Sequence, residues 1–284
     1  MKQEVEKQPA RGKYMRSLRM LPSGLLVLLL CSATFAGCLG GDDDKKEDPF
    51  ANSPITLLVY YDETSGTVTQ NTRGDQVLST EAAELSWDFS NTTSKDGEMS
   101  KFWITPGDGS EPVMADASSQ TTITYGYETH GLFEVELGAE DSEGNMRNTT
   151  IAVRIEMIIH DEQDTQSPDD VTIDMTPGCD ETPVLIRVNS TVLNPANGLG
   201  GLLGGDPTTV TWTLSNGTGE TISEGEEELA DGEESTWTAT YDNPESGDWT
   251  MAIDQSSSEN LDITQDITIT YYASESAANP RPTA

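Results

Sequence analysis

His130 and His160 are the only two imidazoles in 284 residues, set among 50 acids. A nucleophilic triad needs a histidine held by an acid and touching a serine. Neither histidine sits in a nucleophile motif, and acids are so frequent that an acid near a histidine carries no information. Paired-carboxylate hydrolysis needs two acids about 5 to 9.5 Å apart in a cleft, and no segment is large enough to build one. The chain reads as non-catalytic. Hard-cation binding suits the composition better, because calcium takes several carboxylate and carbonyl oxygens. Its candidates are Asp161, Glu162 and Asp164, and the run from Glu224 to Glu234, with seven acids in eleven residues. Neither has the spaced Asp-x-Asp-x-Asp-Gly loop with a closing Glu. The competing reading is a solvated acidic face that maintains solubility. No cofactor is expected other than calcium at these candidates, and no other metal site is assigned.

Charge sets the next boundary. Fifteen cations against 50 acids leave a net charge of −35. Phosphate recognition needs clustered cations, so nucleic acid is excluded as a partner. Apolar residues make up 34% of the chain, enough for small cores rather than one large core. Four Asn-x-Ser/Thr sequons, at Asn91, Asn148, Asn189 and Asn216, mark candidate N-glycosylation sites near strand ends and turns.

The amino-terminal region addresses the compartment. Six cations fall within residues 1–20, and an apolar run follows from Leu21 to Phe35. The run is shorter than the roughly 20 residues that span a bilayer. A basic segment, a short apolar segment and small residues before a cysteine describe a secretory signal, here residues 1–37. Phe35-Ala36-Gly37-Cys38 resembles the lipobox of prokaryotic lipoproteins, with Phe35 where leucine is usual. The resemblance implies cleavage before Cys38 and a lipid thioether on its sulfur. Cys38-Leu39-Gly40-Gly41 and the acids after it look like many archaeal surface lipoproteins. An uncleaved signal anchor is the alternative. Both readings place the rest of the chain on the extracellular face of the cell membrane, with the membrane itself a partner through the anchor. Residues 38–51 are then an acidic tether. Loss of residues 1–37 leaves nine cations and 48 acids, net −39, so charge repels the mature chain from an anionic membrane. Cys31 leaves with the signal and Cys38 takes the lipid. Cys179 stands alone, either a buried small hydrophobe or an intermolecular bridge.

From residue 52 onward, apolar and polar residues alternate in short runs bounded by Gly, Asn, Asp and Pro, the period-2 sign of half-buried strands. The runs Ile55–Tyr61, Leu85–Phe89, Lys101–Ile104, Thr121–Tyr127, Leu132–Ala139 and Ile151–Ile158 predict a β-sandwich over residues 52–158. Residues 159–170, with acids and a proline, read as a linker. Alternation resumes at Val171, Val184, Val210, Trp237, Trp249 and Ile267 and predicts a second sandwich over 171–273, with Trp212, Trp237 and Trp249 in one core. Residues 274–284 read as a flexible tail. The fold class is all-β, two tandem sandwiches.

The first sandwich resembles the PKD domain, an immunoglobulin-like module. The markers are the Asp96-Gly97 connection, the Gly107-Asp108-Gly109 turn, the run Tyr127-Glu128-Thr129-His130-Gly131-Leu132-Phe133, and the Asp141-Ser142-Glu143-Gly144-Asn145 hairpin. Ile104 fills the slot of the family's tryptophan, with Trp103 beside it, and Pro106 replaces an aromatic. Trp103 therefore faces out, or a bulge re-aims it. The resemblance implies a surface-exposed lipoprotein acting in extracellular protein or glycan binding, adhesion or spacing, through loops such as Asp108-Gly109 and Glu128 to Gly131. The alternative is an accessory solute- or polymer-binding subunit of an exported transporter or hydrolase system. The glycine-rich loop at 194–206 holds Leu199, Leu202 and Leu203, which either offer apolar fingers to a partner or fold back over a sandwich end.

Overall fold

The computed structural model describes residues 52–176, 178, 181–196 and 206–282, and every regular element among them is a strand. The signal, Cys38, the tether, Cys179 and Leu199, Leu202 and Leu203 lie outside the described residues. In chain order the strands are β1 (Ile55–Thr56), β2 (Ser65–Arg73), β3 (Gln76–Glu81), β4 (Ala83–Asp88), β5 (Thr93–Ser94), β6 (Met99–Thr105), β7 (Val113–Asp116), β8 (Thr122–Tyr127), β9 (Gly131–Asp141) and β10 (Met146–Thr165). There follow β11 (Val171–Asp174), β12 (Leu185–Leu193), β13 (Thr208–Ser215), β14 (Thr221–Leu229), β15 (Glu234–Asp242), β16 (Asp248–Gln255) and β17 (Leu261–Thr270).

One nine-stranded sheet runs through both halves in the order β15-β12-β17-β10-β9-β6-β7, with β2 parallel to β10 and β3 paired to β2. The small β4-β8 and β1-β5 sheets cover it in the first half, and β11-β16-β13-β14 covers it in the second. Inward side chains meet across the layers. Phe89 stacks on Phe102 at 4.9 Å, and Tyr127 stacks on Phe133 at 4.9 Å. In the second half Trp212 Nε1 donates across the sandwich to Ser190 Oγ at 3.1 Å. Trp212 and Trp249 are buried. Trp237 is half-buried and stacks on Trp212 with centroids 6.4 Å apart, so it closes the edge of the core rather than filling its centre.

The expected linker is largely strand. β10 is 20 residues long, about 65 Å at strand rise. β9 pairs along its first half and β17 along its second. Its odd-numbered residues from Ile151 to Gln163 are all buried. Composition misled at 159–165 because two of the three buried positions there, Asp161 and Gln163, are polar. Asp161 is fully buried and accepts from Thr72 Oγ1 (3.1 Å), the Gly74 amide (2.7 Å), Gln163 Nε2 (3.0 Å) and Gln265 Nε2 (3.0 Å). Four donors replace the water that a buried carboxylate gives up. Gly74, at φ +58°, is needed there, since a Cβ would stand 2.4 Å from Asp169 Cβ. Only residues 166–170, between β10 and β11, are irregular.

The expected flexible tail also differs over its described part. After Tyr271 turns inward, the chain returns to the first half. The Asn279 and Tyr61 backbones exchange hydrogen bonds of 2.9 and 3.0 Å. Thr64 Oγ1 donates to the Ser276 carbonyl at 2.6 Å. Glu275 receives both Nε and Nη2 of Arg154 at 2.9 Å, and Arg281 pairs with Asp88. Proline content suggested a loose end, but backbone pairing and a bidentate ion pair hold it.

Candidate functional site

The outward face of the second half of the large sheet has no layer over it among the described residues. Register places one row of polar residues straight across six strands: Thr238, Asn189, Asp266, His160, Asn71 and Ser79. The alternation that buries Val188, Ile267 and Ile159 turns these neighbours outward. Thr191 and Thr236 share a hydroxyl hydrogen bond of 2.9 Å, and Asn71 Nδ2 donates to Ser79 Oγ at 3.1 Å. Tyr272, 67% exposed, follows the end of β17.

His160 is the centre of the row. Its Nδ1 lies 2.8 Å from Asp266 Oδ1 and its Nε2 lies 3.2 Å from Glu162 Oε1. Two acceptor-only carboxylates call for two N–H donors, which is the imidazolium form. The Asp266 hydrogen bond holds the imidazole above its ordinary value; partial burial opposes this, and Glu162 adds to the rise. In that protonated form the face carries a cation between acids and is ringed by hydroxyls and amides. It can hydrogen-bond a hydroxyl-rich or peptide surface by both donation and acceptance.

His130 is a different group. It is buried, with Nε2 2.9 Å from the Asp174 carbonyl and Nδ1 2.5 Å from the Tyr271 hydroxyl. A carbonyl only accepts, so Nε2 carries the proton and Nδ1 accepts from Tyr271. Burial pushes its pKa down, against the raising effect of Asp174. The turn around His130 thus serves as a joint between the halves, not as an open loop.

The calcium candidates are separated by strand alternation. Asp161 points into the core, whereas Glu162 and Asp164 are exposed on the opposite face. Glu162 meets His160, and Asp164 accepts from Asn260. The acids of the 224–234 run lie mostly on β14, facing solvent. Among the described residues, no three His, Cys, Asp or Glu are grouped to hold a metal ion.

The sequons divide. Asn91 is exposed in the turn after β4, and Asn189 is an exposed member of the polar row, one strand from its end. Asn148 is half-buried on β10. Asn216 is buried, and its Oδ1 accepts from the Thr218 and Glu220 amides and the Thr218 hydroxyl, which commits it to the turn. Trp103 lies on the sheet face opposite Phe102 and Ile104, where register opposes it to Gly138, yet it is buried, 7% exposed. Its Nε1 donates to Glu136 Oε1 at 3.0 Å. A Cβ on Gly138 would lie 2.0 Å from its ring. Asp108 accepts from Tyr125 at 2.5 Å beside the Gly107 turn.

Sequence reasoning missed the polar row itself. Its members are scattered over β15, β12, β17, β10, β2 and β3, and only the pairing brings them together. A groove of 430 Å³ also opens at the start of β2, lined by Asp62, Thr64, Thr67, Arg154 and Glu156 among others.

No protein-family model matches the chain, and no curated protein matches it. Among solved structures it is similar to carbohydrate-binding modules from the β-sandwich superfamily, at 10% identity and a TM-score of 0.28, over 79% of this chain and 95% of that one. It is similar to the CBM51-2 and INT domains of Clostridium perfringens ZmpB, in complex with GlcNAc, at 9% identity and a TM-score of 0.26, over 78% of this chain and 49% of that one. A third likeness is to tripeptidyl peptidase 2, at 9% identity and a TM-score of 0.25, over 76% of this chain and 20% of that one.

Proposed function

We propose that this chain is a non-catalytic, surface-exposed lipoprotein of the PKD-bearing, archaeal type, anchored through Cys38, that binds extracellular glycan or protein. The uncovered polar row centred on His160 is the observation that supports the reading. It offers donors, acceptors and one cation on a surface backed by a filled core, where no order needs to be created on binding. The hydrogen bonds of both imidazoles go to carboxylates, a tyrosine and a carbonyl, which suits recognition better than nucleophile activation. A polyanion would meet Asp266 and Glu162 and be repelled, so the ligand is neutral or basic.

The test is binding of the full chain to a panel of neutral glycans and cell-envelope proteins, repeated with Asp266→Arg. Binding weakened about tenfold or more by that variant supports the reading; binding that ignores the variant, or no binding at all, removes the polar row from it. Asn189 gives an independent check, because an N-linked glycan there would stand on the row. Mass spectrometry should find Asn189 free in the binding-competent form, and a lipid on Cys38. The alternative, an accessory solute-binding subunit, draws its support from the 430 Å³ groove beside Arg154.

A further inference from the structure

The 430 Å³ groove and the polar row lie on one face of the same two strands. β2 and β10 run parallel, in register from Ser65 opposite Arg154 to Thr72 opposite Asp161. Alternation buries Val68, Ile155, Met157 and Ile159. It turns Thr67, Thr69 and Asn71 outward beside their partners Glu156, Ile158 and His160, none of them buried. Arg154, Glu156 and Thr67 line the groove, and His160 belongs to the row. Arg154 and His160 are six residues apart on β10, about 20 Å at strand rise. The groove and the row are therefore two ends of one open track.

We infer, resting on the row as a binding surface, that one linear, amine-bearing polysaccharide lies along this track from the groove to His160. Charge selects the class. Asp62, Glu63, Glu156, Glu162, Asp266 and Glu275 outnumber Arg154 and His160, and Arg154 is already held by Glu156 and Glu275. Ammonium groups spaced along a sugar chain meet these carboxylates. Its hydroxyls meet Thr67, Thr69 and Asn71, which both donate and accept. A peptide fits the track less well, because peptides gain affinity by adding a strand or by filling apolar pockets. β10 is paired on both edges here, by β2 on one side and by β9 and then β17 on the other. Ile158 is the one apolar side chain among the six outward partners. A sugar chain that reaches both ends binds more tightly than one that fills either, because its second contact is intramolecular.

The experiment is titration calorimetry of the full chain in mild detergent, at mildly acidic pH, with glucosamine oligomers of increasing length. Affinity should rise about tenfold or more from the disaccharide to an oligomer long enough for the track, and it should fall with added salt. Thr67→Arg at the groove and Asp266→Arg at the row should each weaken the long oligomer about tenfold or more. Both side chains are exposed, so circular dichroism should not change. Affinity that ignores length, or a long oligomer that ignores Thr67→Arg, overturns the inference and leaves the row as the whole site. N-acetylated oligomers or oligolysine bound as tightly as the glucosamine series also overturn it, the first on charge and the second on the kind of polymer. Neutral glycans held at the row with no response to any glucosamine oligomer would sink the track while the proposed function stands.

Discussion

His130 and His160 respond to pH in opposite directions. Burial lowers the His130 pKa below its ordinary 6.5. Below pH 6.5 the unfolded chain therefore binds a proton that the native joint resists, and stability declines as pH falls through that window. His160 is raised above 6.5, chiefly by Asp266. Its contribution is complete below pH 6.5 and is lost as pH rises through the folded value. Urea unfolding from pH 5 to 8 on His130→Gln and His160→Gln should separate them. The first variant should flatten the loss on the acid side, and it should cost about 1–3 kcal/mol at pH 7.5, where Tyr271 and the Asp174 carbonyl lose good partners. The second should flatten the change on the neutral side. Slopes altered in the same sense by both variants would contradict this assignment. Both histidines were visible in the sequence as the scarce titratable groups. Their opposite environments were not, because Tyr271 lies 141 residues from His130 and Asp266 lies 106 from His160.

At the scale of elements, β10 and its polar joint carry the architecture. Asp161→Ala should cost about 3 kcal/mol, because several buried donors are left without an acceptor at once. Chemical denaturation measures this directly, and a change under about 0.5 kcal/mol would mean that the joint is not needed. Gly138→Ala makes a second test on the other face. The added methyl displaces the Trp103 indole, with an expected cost of about 1–3 kcal/mol and a shift of Trp103 emission. Most strands with clean alternation, such as Leu132–Ala139 and Val210–Leu214, were legible. β2, β3 and β14 were not. β2 and β3 bury little, and β14 is a row of glutamates whose strand character comes from pairing with β13. Propensity and pattern report side-chain burial, whereas these elements are held by backbone hydrogen bonds.

For the molecule as a whole, one buried apolar cluster runs from Ile55 to Tyr271 through both halves. Calorimetry of the chain should accordingly give a single cooperative transition; two resolved peaks would show that β10 and the tail do not couple the halves. The sequence by itself determined the strand-rich class, the strong negative charge and the inward apolar set, because composition and period-2 alternation are local properties. Tertiary structure alone decided that an acidic stretch is the shared strand of two sandwiches and that a proline-containing end is tied down. It alone assembled six distant polar residues into one row. Those outcomes depend on register between strands far apart in the chain, and register is set by how faces fit together, not by any single segment.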